Sequence, residues 1–259
     1  MKPIILIKTG GKAAVLGKEL NELILEIKLL KKDYDFIVVH GGGAEVTKAS
    51  EVYGLKTTFI HGKRITTDSE MDIVDEVLAG RINTRLVRAF EKNNISAIGL
   101  SGNDGQIFTG ESVDSHNKSR TGRVTKTDPK LLKLLLSNNY TPVISSVSMD
   151  DNGKPLNINA DDAALAVALS VSAEKVIFIS DIPGILKNSN VLERLTPYDI
   201  KLEIESGVIS GGMIPKVTAS AKAVKASVKN VVIGDYQNSG DLLKLLNSLK
   251  GSTITKEIL

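Results

Sequence analysis

The chain has no cysteine, no tryptophan and only three histidines among its 259 residues. The missing cysteine excludes disulfides, thiol catalysis and thiolate-bound metals, and fits a reducing cytosol. Five Phe and five Tyr are too few for a base-stacking platform. Charge of either sign is not in excess: 33 Lys+Arg stand against 30 Asp+Glu, and no basic block is interleaved with aromatics. A nucleic-acid partner is therefore not expected. No run approaches the roughly 18 to 20 apolar residues that span a bilayer, so no membrane partner is expected either. The first apolar strand begins at Pro3, leaving no room for a signal peptide. The expectation is a soluble cytoplasmic protein whose 42% hydrophobic residues are enough for one large domain or two lobes.

Present instead are buried strands that open into glycines. Ile4-Ile5-Leu6-Ile7 runs into Lys8-Thr9-Gly10-Gly11, and Phe36-Ile37-Val38-Val39 into His40-Gly41-Gly42-Gly43. Such runs read as strands covered on both faces. The glycines permit tight turns and close approach of backbone to a ligand. Open α/β sheets bind ligands at the carboxyl ends of their strands, which is where Lys8 stands. Between the two runs, apolar residues from Leu16 to Leu30 follow helical spacing, and a helix is expected near 44–53. Strand, helix, strand, helix implies parallel strands with right-handed crossovers.

The segments 57–60 and 64–67 flank His61-Gly62-Lys63 as a hairpin. Thr67-Asp68-Ser69-Glu70 is a capping box, and Met71, Val74, Val77, Leu78, Ile82, Leu86 and Phe90 then hold helical period. A helix of that length is a candidate subunit interface. Residues 111–127 lack a period and read as a mobile loop or small hairpins. Asp128-Pro129 opens a helix, strand 141–147 follows, and Leu156 to Asp162 leads into an alanine-rich helix. Further strands are expected at 175–179 and 231–233, with helices after Thr196-Pro197, from Lys216 and from Asp241. A lobe boundary falls near 171–175.

Glycine turns alone are weak evidence of chemistry. Neither a G-x-x-x-x-G-K-[ST] loop nor a G-x-G-x-x-G fingerprint is present, which removes the main support for a nicotinamide enzyme. His40 reads as a core histidine with a backbone partner. Lys8 is harder to set aside, because a lysine ending a buried strand needs an anion nearby to stay charged. Lys216 by spacing belongs to a solvated row with Lys222, Lys225 and Lys229. Asp161 and Asp162 sit where a helix dipole favours carboxylates, so capping accounts for one of them. Asn157 and Asn159 read as turn residues.

Taken together, eight collinear segments resemble the amino-acid kinase family: ILIKTGG, VVHGGG, GKRITTD, VLAGRIN, AIGLSGNDG, PLNINADDAALAVAL, IFISDIPGIL and VISGGMIPKV. The closest likeness is to its branch with N-acetyl-L-glutamate as acceptor. The resemblance implies an α/β fold, a three-layer α/β/α sandwich around a mainly parallel open sheet. It implies an acyl-substrate and dimerisation lobe over 1–173 and a nucleotide lobe over 174–259. The implied reaction is ATP-dependent phosphorylation of the γ-carboxylate of N-acetyl-L-glutamate to an acyl phosphate, in arginine synthesis. Mg²⁺ would be held mainly by phosphates and water, with no metal cage from the protein. Lys8 and Lys216 would stabilise the transferring phosphoryl group, and Asp161 would hold both lysines. Gly10 and Gly11 would donate to phosphate, and Gly42 and Gly43 to substrate. Arg64 and Asn157 would clamp the α-carboxylate. Ser180, Asp181, Ile182, Pro183, Gly184, Ile185, Val208, Ile209 and Ser210 would contact the nucleotide.

A homodimer insensitive to arginine is also implied, since the chain starts with its first strand. The run Thr121-Gly122-Arg123-Val124 instead resembles kinases of aminoadipate or glutamate linked to an acidic carrier protein, whereas Ala160 speaks for the free acid. A non-catalytic ligand-binding regulator of the same fold is the third alternative, and the intact set of Lys8, Asp161 and Lys216 argues against it. Thr9 has no role in any of these readings.

Overall fold

A computed structural model of the chain describes residues 2–10, 17–60, 63–114 and 119–257. In order, it runs β1 (Ile4–Thr9), α1 (Lys18–Leu30), β2 (Asp35–His40), α2 (Gly43–Val52) and the antiparallel hairpin β3 (Thr58–Ile60) and β4 (Lys63–Ile65). A long helical rod follows: α3 (Asp68–Val74), a π-helical stretch Asp75–Ile82, and α4 (Asn83–Lys92). Next come β5 (Ala97–Leu100), β6 (Phe108–Ser112), β7 (Thr121–Thr127), α5 (Lys130–Ser137), β8 (Thr141–Ser145), β9 (Val147–Met149), β10 (Pro155–Ile158) and α6 (Ala160–Ser170). The remainder is β11 (Lys175–Ile179), the short pair β12 (Leu186–Lys187) and β13 (Asn190–Val191), and β14 (Arg194–Leu195). It ends with α7 (Pro197–Glu205), α8 (Met213–Ala226), β15 (Asn230–Gly234), α9 (Asp241–Leu246) and β16 (Ser252–Thr255).

Eight strands form one sheet in the order β14-β16-β15-β11-β1-β2-β8-β5. Every neighbouring pair is parallel except β15 with β16. Strand alternation divides the core in two. Ile5, Ile7, Phe36 and Val38 pack against α1, the rod and α9, while Leu6, Ile37, Val39 and Ile144 pack against α5, α6, α7 and α8. The result is the α/β/α sandwich that the strand–helix alternation predicts. A second sheet, β6-β7-β10-β9, sits at one end of it.

Local signals hold where expected. Thr67 and Glu70 form a reciprocal capping box at α3, and Thr196 with Asp199 forms another at α7. Asp128 Oδ1 accepts from the Lys130 N–H, 2.9 Å away, as α5 begins. Of the two readings of 111–127, a mobile loop or small hairpins, the second holds for the described residues: 121–127 form a strand paired antiparallel with β6 through a bulge at Thr109/Gly110, and 115–118 lie outside the described residues. The apolar residues of the rod, from Met71 to Phe90, are buried in the protein's own core. The strand β16 has no sequence signal of its own, since four residues after a short helix carry too little pattern to read.

Candidate active site at the carboxyl edge of the sheet

Lys8 follows Leu6 in strand parity and so projects toward the α6 and α8 layer, next to Phe178 in register. Its Nζ lies 2.8 Å from Asp161 Oδ1, and Lys216 Nζ lies 2.6 Å from Asp161 Oδ2. Asp161 is free to face both because Asn159 caps α6: its Oδ1 accepts from the backbone N–H groups of Asp161 at 2.9 Å and Asp162 at 3.3 Å. Capping thus falls to Asn159, and the sequence reading that gave it to one of the aspartates is corrected. Burial works against the Asp161 charge, yet the cations of Lys8 and Lys216, with their hydrogen bonds, hold its pKa below the usual carboxylate value. For Lys216 burial dominates and lowers its pKa, opposed by Asp161 and reinforced by Lys8. Lys216 Nζ also stands 4.7 Å over the Phe178 ring.

Helix geometry explains why Lys216 does not belong to the solvated row. Nine residues on at about 100° each, Lys225 points to the opposite side of α8. Lys222 and Lys225 are exposed, whereas the Lys216 side chain is only 16% exposed. One carboxylate between two lysines leaves one positive charge over, suited to an anion.

Beside this triad lies a cleft of about 240 Å³, lined among others by Lys8, Gly10, Gly42, Gly43, Arg64 and Asn157. A Cβ on Gly10 would come within 3.1 Å of Lys8 Nζ, so the ammonium would have to shift by a few tenths of an ångström. Gly11 lies outside the described residues. Gly42 is required by packing from below, where a Cβ would overlap Ile82 Cδ1 and come within 2.8 Å of Leu78 Cδ2; Gly43 faces open space.

Arg64 is 7% exposed. Its Nη1 donates to Thr57 Oγ1 at 2.8 Å, and its Nη2 donates to the Gly43 carbonyl at 2.8 Å and to Thr47 Oγ1 at 2.6 Å. The Phe59 ring lies 4.9 Å beneath the guanidinium. Burial pulls the guanidinium below its ordinary pKa, against the opposing field of Glu70. Among the described residues these hydrogen-bond partners are neutral, so the charge is left for a ligand. Asn157 donates to Thr66 Oγ1 at 2.8 Å from the facing strand β10.

The residues expected at the nucleotide do not line this cleft. Ser180 to Ile185 leave the carboxyl end of β11, and Val208 to Ser210 precede α8. Ile185 and Ile209 are core residues, each 2% exposed, and can meet a ligand only through backbone; Asp181, Pro183 and Ser210 are exposed. Sequence reasoning missed Thr121 and Ser146 at the cleft, and Thr47 and Thr57 as the hydroxyls that hold Arg64. Thr47 stands one helical turn after Gly43, which is the one signal that could have found it. Among the described residues no three His, Asp or Glu side chains converge to hold a metal. Both Asp161 oxygens are paired with lysines, so the donor set fits a cation that arrives on the phosphates of its nucleotide.

Two lysines bridged by a carboxylate, at the open edge of a parallel sheet and beside glycine turns, define an α/β phosphotransferase. The model of the Amino acid kinase family matches residues 3–235. The chain belongs to the amino acid kinase family. It is 36% identical over 234 residues to the acetylglutamate kinase of Bacillus licheniformis, covering 90% of either chain. With the acetylglutamate kinase of Methanocaldococcus jannaschii it shares 38% identity over 247 residues, 89% of this chain and 82% of the relative. Among solved structures, Streptococcus mutans smu.665 superposes at TM-score 0.84 with 30% identity, over 99% of this chain and 100% of the other. The fold alone is shared with carbamate kinase from Giardia lamblia, at TM-score 0.72, 16% identity and 99% coverage of each chain.

Proposed function

We propose that the protein transfers the γ-phosphoryl group of MgATP to the γ-carboxylate of N-acetyl-L-glutamate. The carrying observation is the Lys8–Asp161–Lys216 bridge beside a cleft that holds Arg64. An acceptor carboxylate is already ionised at neutral pH, so the reaction asks for no general base. One carboxylate oxygen forms a bond to the γ-phosphorus while the bond from that phosphorus to the β–γ bridging oxygen breaks, and ADP leaves with the electron pair. The obstacle is bringing two anions together. Lys8 and Lys216 neutralise charge on the transferring group, and Asp161 keeps both ammonium groups aimed at it. Magnesium, when bound with ATP, adds charge neutralisation on the phosphates. Arg64, with Asn157, takes the α-carboxylate, as its planar fork suits a planar anion.

We assign residues 1–173 to the acceptor and 174–259 to the nucleotide. Supporting this, every residue lining the cleft lies between Lys8 and Asp161 in sequence, and Lys216 reaches the bridge from the second part. Trapping the acyl phosphate with hydroxylamine, with N-acetyl-L-glutamate, glutamate or aminoadipate as acceptor, tests the reading. Hydroxamate from N-acetyl-L-glutamate alone is expected. Turnover of only another acceptor would overturn it.

A further inference from the structure

The catalytic reading leaves a row of polar side chains unused on the other face of the same strand ends. Thr9, His40 and Ser145 are register neighbours at the carboxyl ends of β1, β2 and β8, and are 1%, 0% and 0% exposed. By strand parity they face the rod, opposite Lys8. His40 Nδ1 lies 3.0 Å from the Gly41 carbonyl. A carbonyl only accepts, so Nδ1 carries the proton and Nε2 does not. Nε2 accepts from Asn83 Nδ2 at 3.1 Å. Asn83, 4% exposed, turns the same amide nitrogen to the carbonyls of Val143 at 2.9 Å and Leu100 at 3.3 Å, so one of its two N–H groups is shared between acceptors. Gly99 makes room for it, because a Cβ there would overlap Asn83 Oδ1. The amide is therefore pinned by two strands, and the imidazole is oriented by the amide.

The π-helical stretch explains how one rod serves both sides of the glycine turn. Leu78 lies under Gly42, and Asn83 holds His40. The i→i+5 pattern has about 4.4 residues per turn, so positions five apart lie roughly 50° from each other; an α-helix would set them about 140° apart. The Gly41 carbonyl and the Gly42 N–H belong to one planar trans peptide and point in opposite directions. Holding that carbonyl against the buried imidazole turns the Gly42 N–H away from the core, toward the cleft.

We infer that His40 and Asn83 are positioning residues for the phosphoryl transfer: Asn83 fixes the tautomer of His40, and His40 fixes the peptide that presents the Gly42 N–H. This rests on the reaction proposed above. The test uses the full chain, MgATP and N-acetyl-L-glutamate. In His40→Asn the amide nitrogen falls near the Nδ1 position and can still donate to the Gly41 carbonyl. In His40→Gln the amide falls near Nε2 and that donor is lost. We expect His40→Asn to keep kcat within about fivefold. His40→Gln and Asn83→Ala should lose about 10- to 100-fold in kcat, with the acceptor KM changed less than about threefold, as for a misdirected donor.

A side chain that only filled space would not separate the two His40 variants. If folded His40→Gln matched His40→Asn in kcat, or if Asn83→Ala kept its kcat, the inference would fall while the reaction stood. Should neither His40 variant fold, Asn83→Ser decides alone, and an unchanged kcat overturns the inference. Nitrogen-15 shifts of His40 give a readout free of turnover: protonation at Nε2 rather than Nδ1 would overturn it. A wild type that phosphorylates no carboxylate would overturn both readings.

Discussion

Gly42 carries no side chain because Ile82 occupies the space a Cβ would need. The overlap is with Ile82 Cδ1, and Leu78 Cδ2 lies 2.8 Å from the same point, while nothing lies within 4 Å of a Cβ on Gly43. Adjacent glycines in one turn thus answer to different constraints. Gly42→Ala should lower stability by about 1–3 kcal/mol through overpacking, and Gly43→Ala should leave the unfolding midpoint nearly unchanged. Urea denaturation of the two variants checks this. Equal midpoints would show that the rod yields more easily than its burial suggests.

Asp161 bridges two lysines, so the consequences of removing each partner differ. Asp161→Asn keeps the shape but leaves Lys8 and Lys216 facing each other without the carboxylate charge. Turnover should fall by about 100-fold or more, with a clear loss of thermal stability. Lys8→Met leaves one lysine on one carboxylate, and its melting temperature should stay close to wild type while turnover is lost. Steady-state kinetics and thermal melts read both effects. A Lys8→Met enzyme with wild-type kcat would remove Lys8 from the chemistry.

Arg64 holds its fork through Thr57, Thr47 and the Gly43 carbonyl. Lysine supplies the charge but neither the planar fork nor the stacking on Phe59. Arg64→Lys is expected to raise the KM for the acceptor about tenfold or more, roughly 1.4 kcal/mol, with a smaller change in kcat. An unchanged KM would place the acceptor's α-carboxylate elsewhere.

His40 has its pKa pushed down to about 4, first by burial, partly countered by its bond to Gly41, with smaller fields from Arg85 on α4 and Glu45 on α2. Its folded value lies below the unfolded one, so the unfolded chain takes up the proton first as pH falls. Stability from this group is therefore intact above about pH 6.5 and is lost toward pH 4, by on the order of 3 kcal/mol. Denaturation between pH 7 and 4.5 should show that slope, and His40→Asn should flatten it.

Asp75 behaves in the opposite sense. Burial, and then the charge of Asp72, push its pKa up to about 6, and its Oδ1 is buried with no hydrogen-bond partner among the described residues. The folded state favours the protonated form, so the ionised carboxylate costs stability above about pH 6 and costs nothing below about pH 4. Allowing for its partial exposure, Asp75→Asn should gain about 1 kcal/mol at pH 8, with the gain fading in acid. A gain independent of pH would mean that a cause other than the charge is at work.

The layers and the location of the candidate site are legible in the primary structure. Apolar strands alternating with amphipathic helices can bury their faces only in a mostly parallel, doubly covered sheet, and glycines after β1 and β2 mark its open edge. Lys8 was legible because a lysine at the end of a four-residue apolar run keeps its charge only beside an anion. Lys216 was not, since its neighbours Lys222, Lys225 and Lys229 offered an ordinary solvated face. Only packing of α8 against α6 turns it inward to Asp161. The choice between Asn159, Asp161 and Asp162 as the cap of α6 was likewise settled in three dimensions, because any of the three side chains satisfies the local rule. His40 read correctly as buried, but its link to Asn83 spans 43 residues and no local pattern reports it. Local propensity and periodicity fix elements and faces. Which polar groups meet across those faces is decided by the tertiary contacts that desolvate them, and there a partner is required rather than preferred.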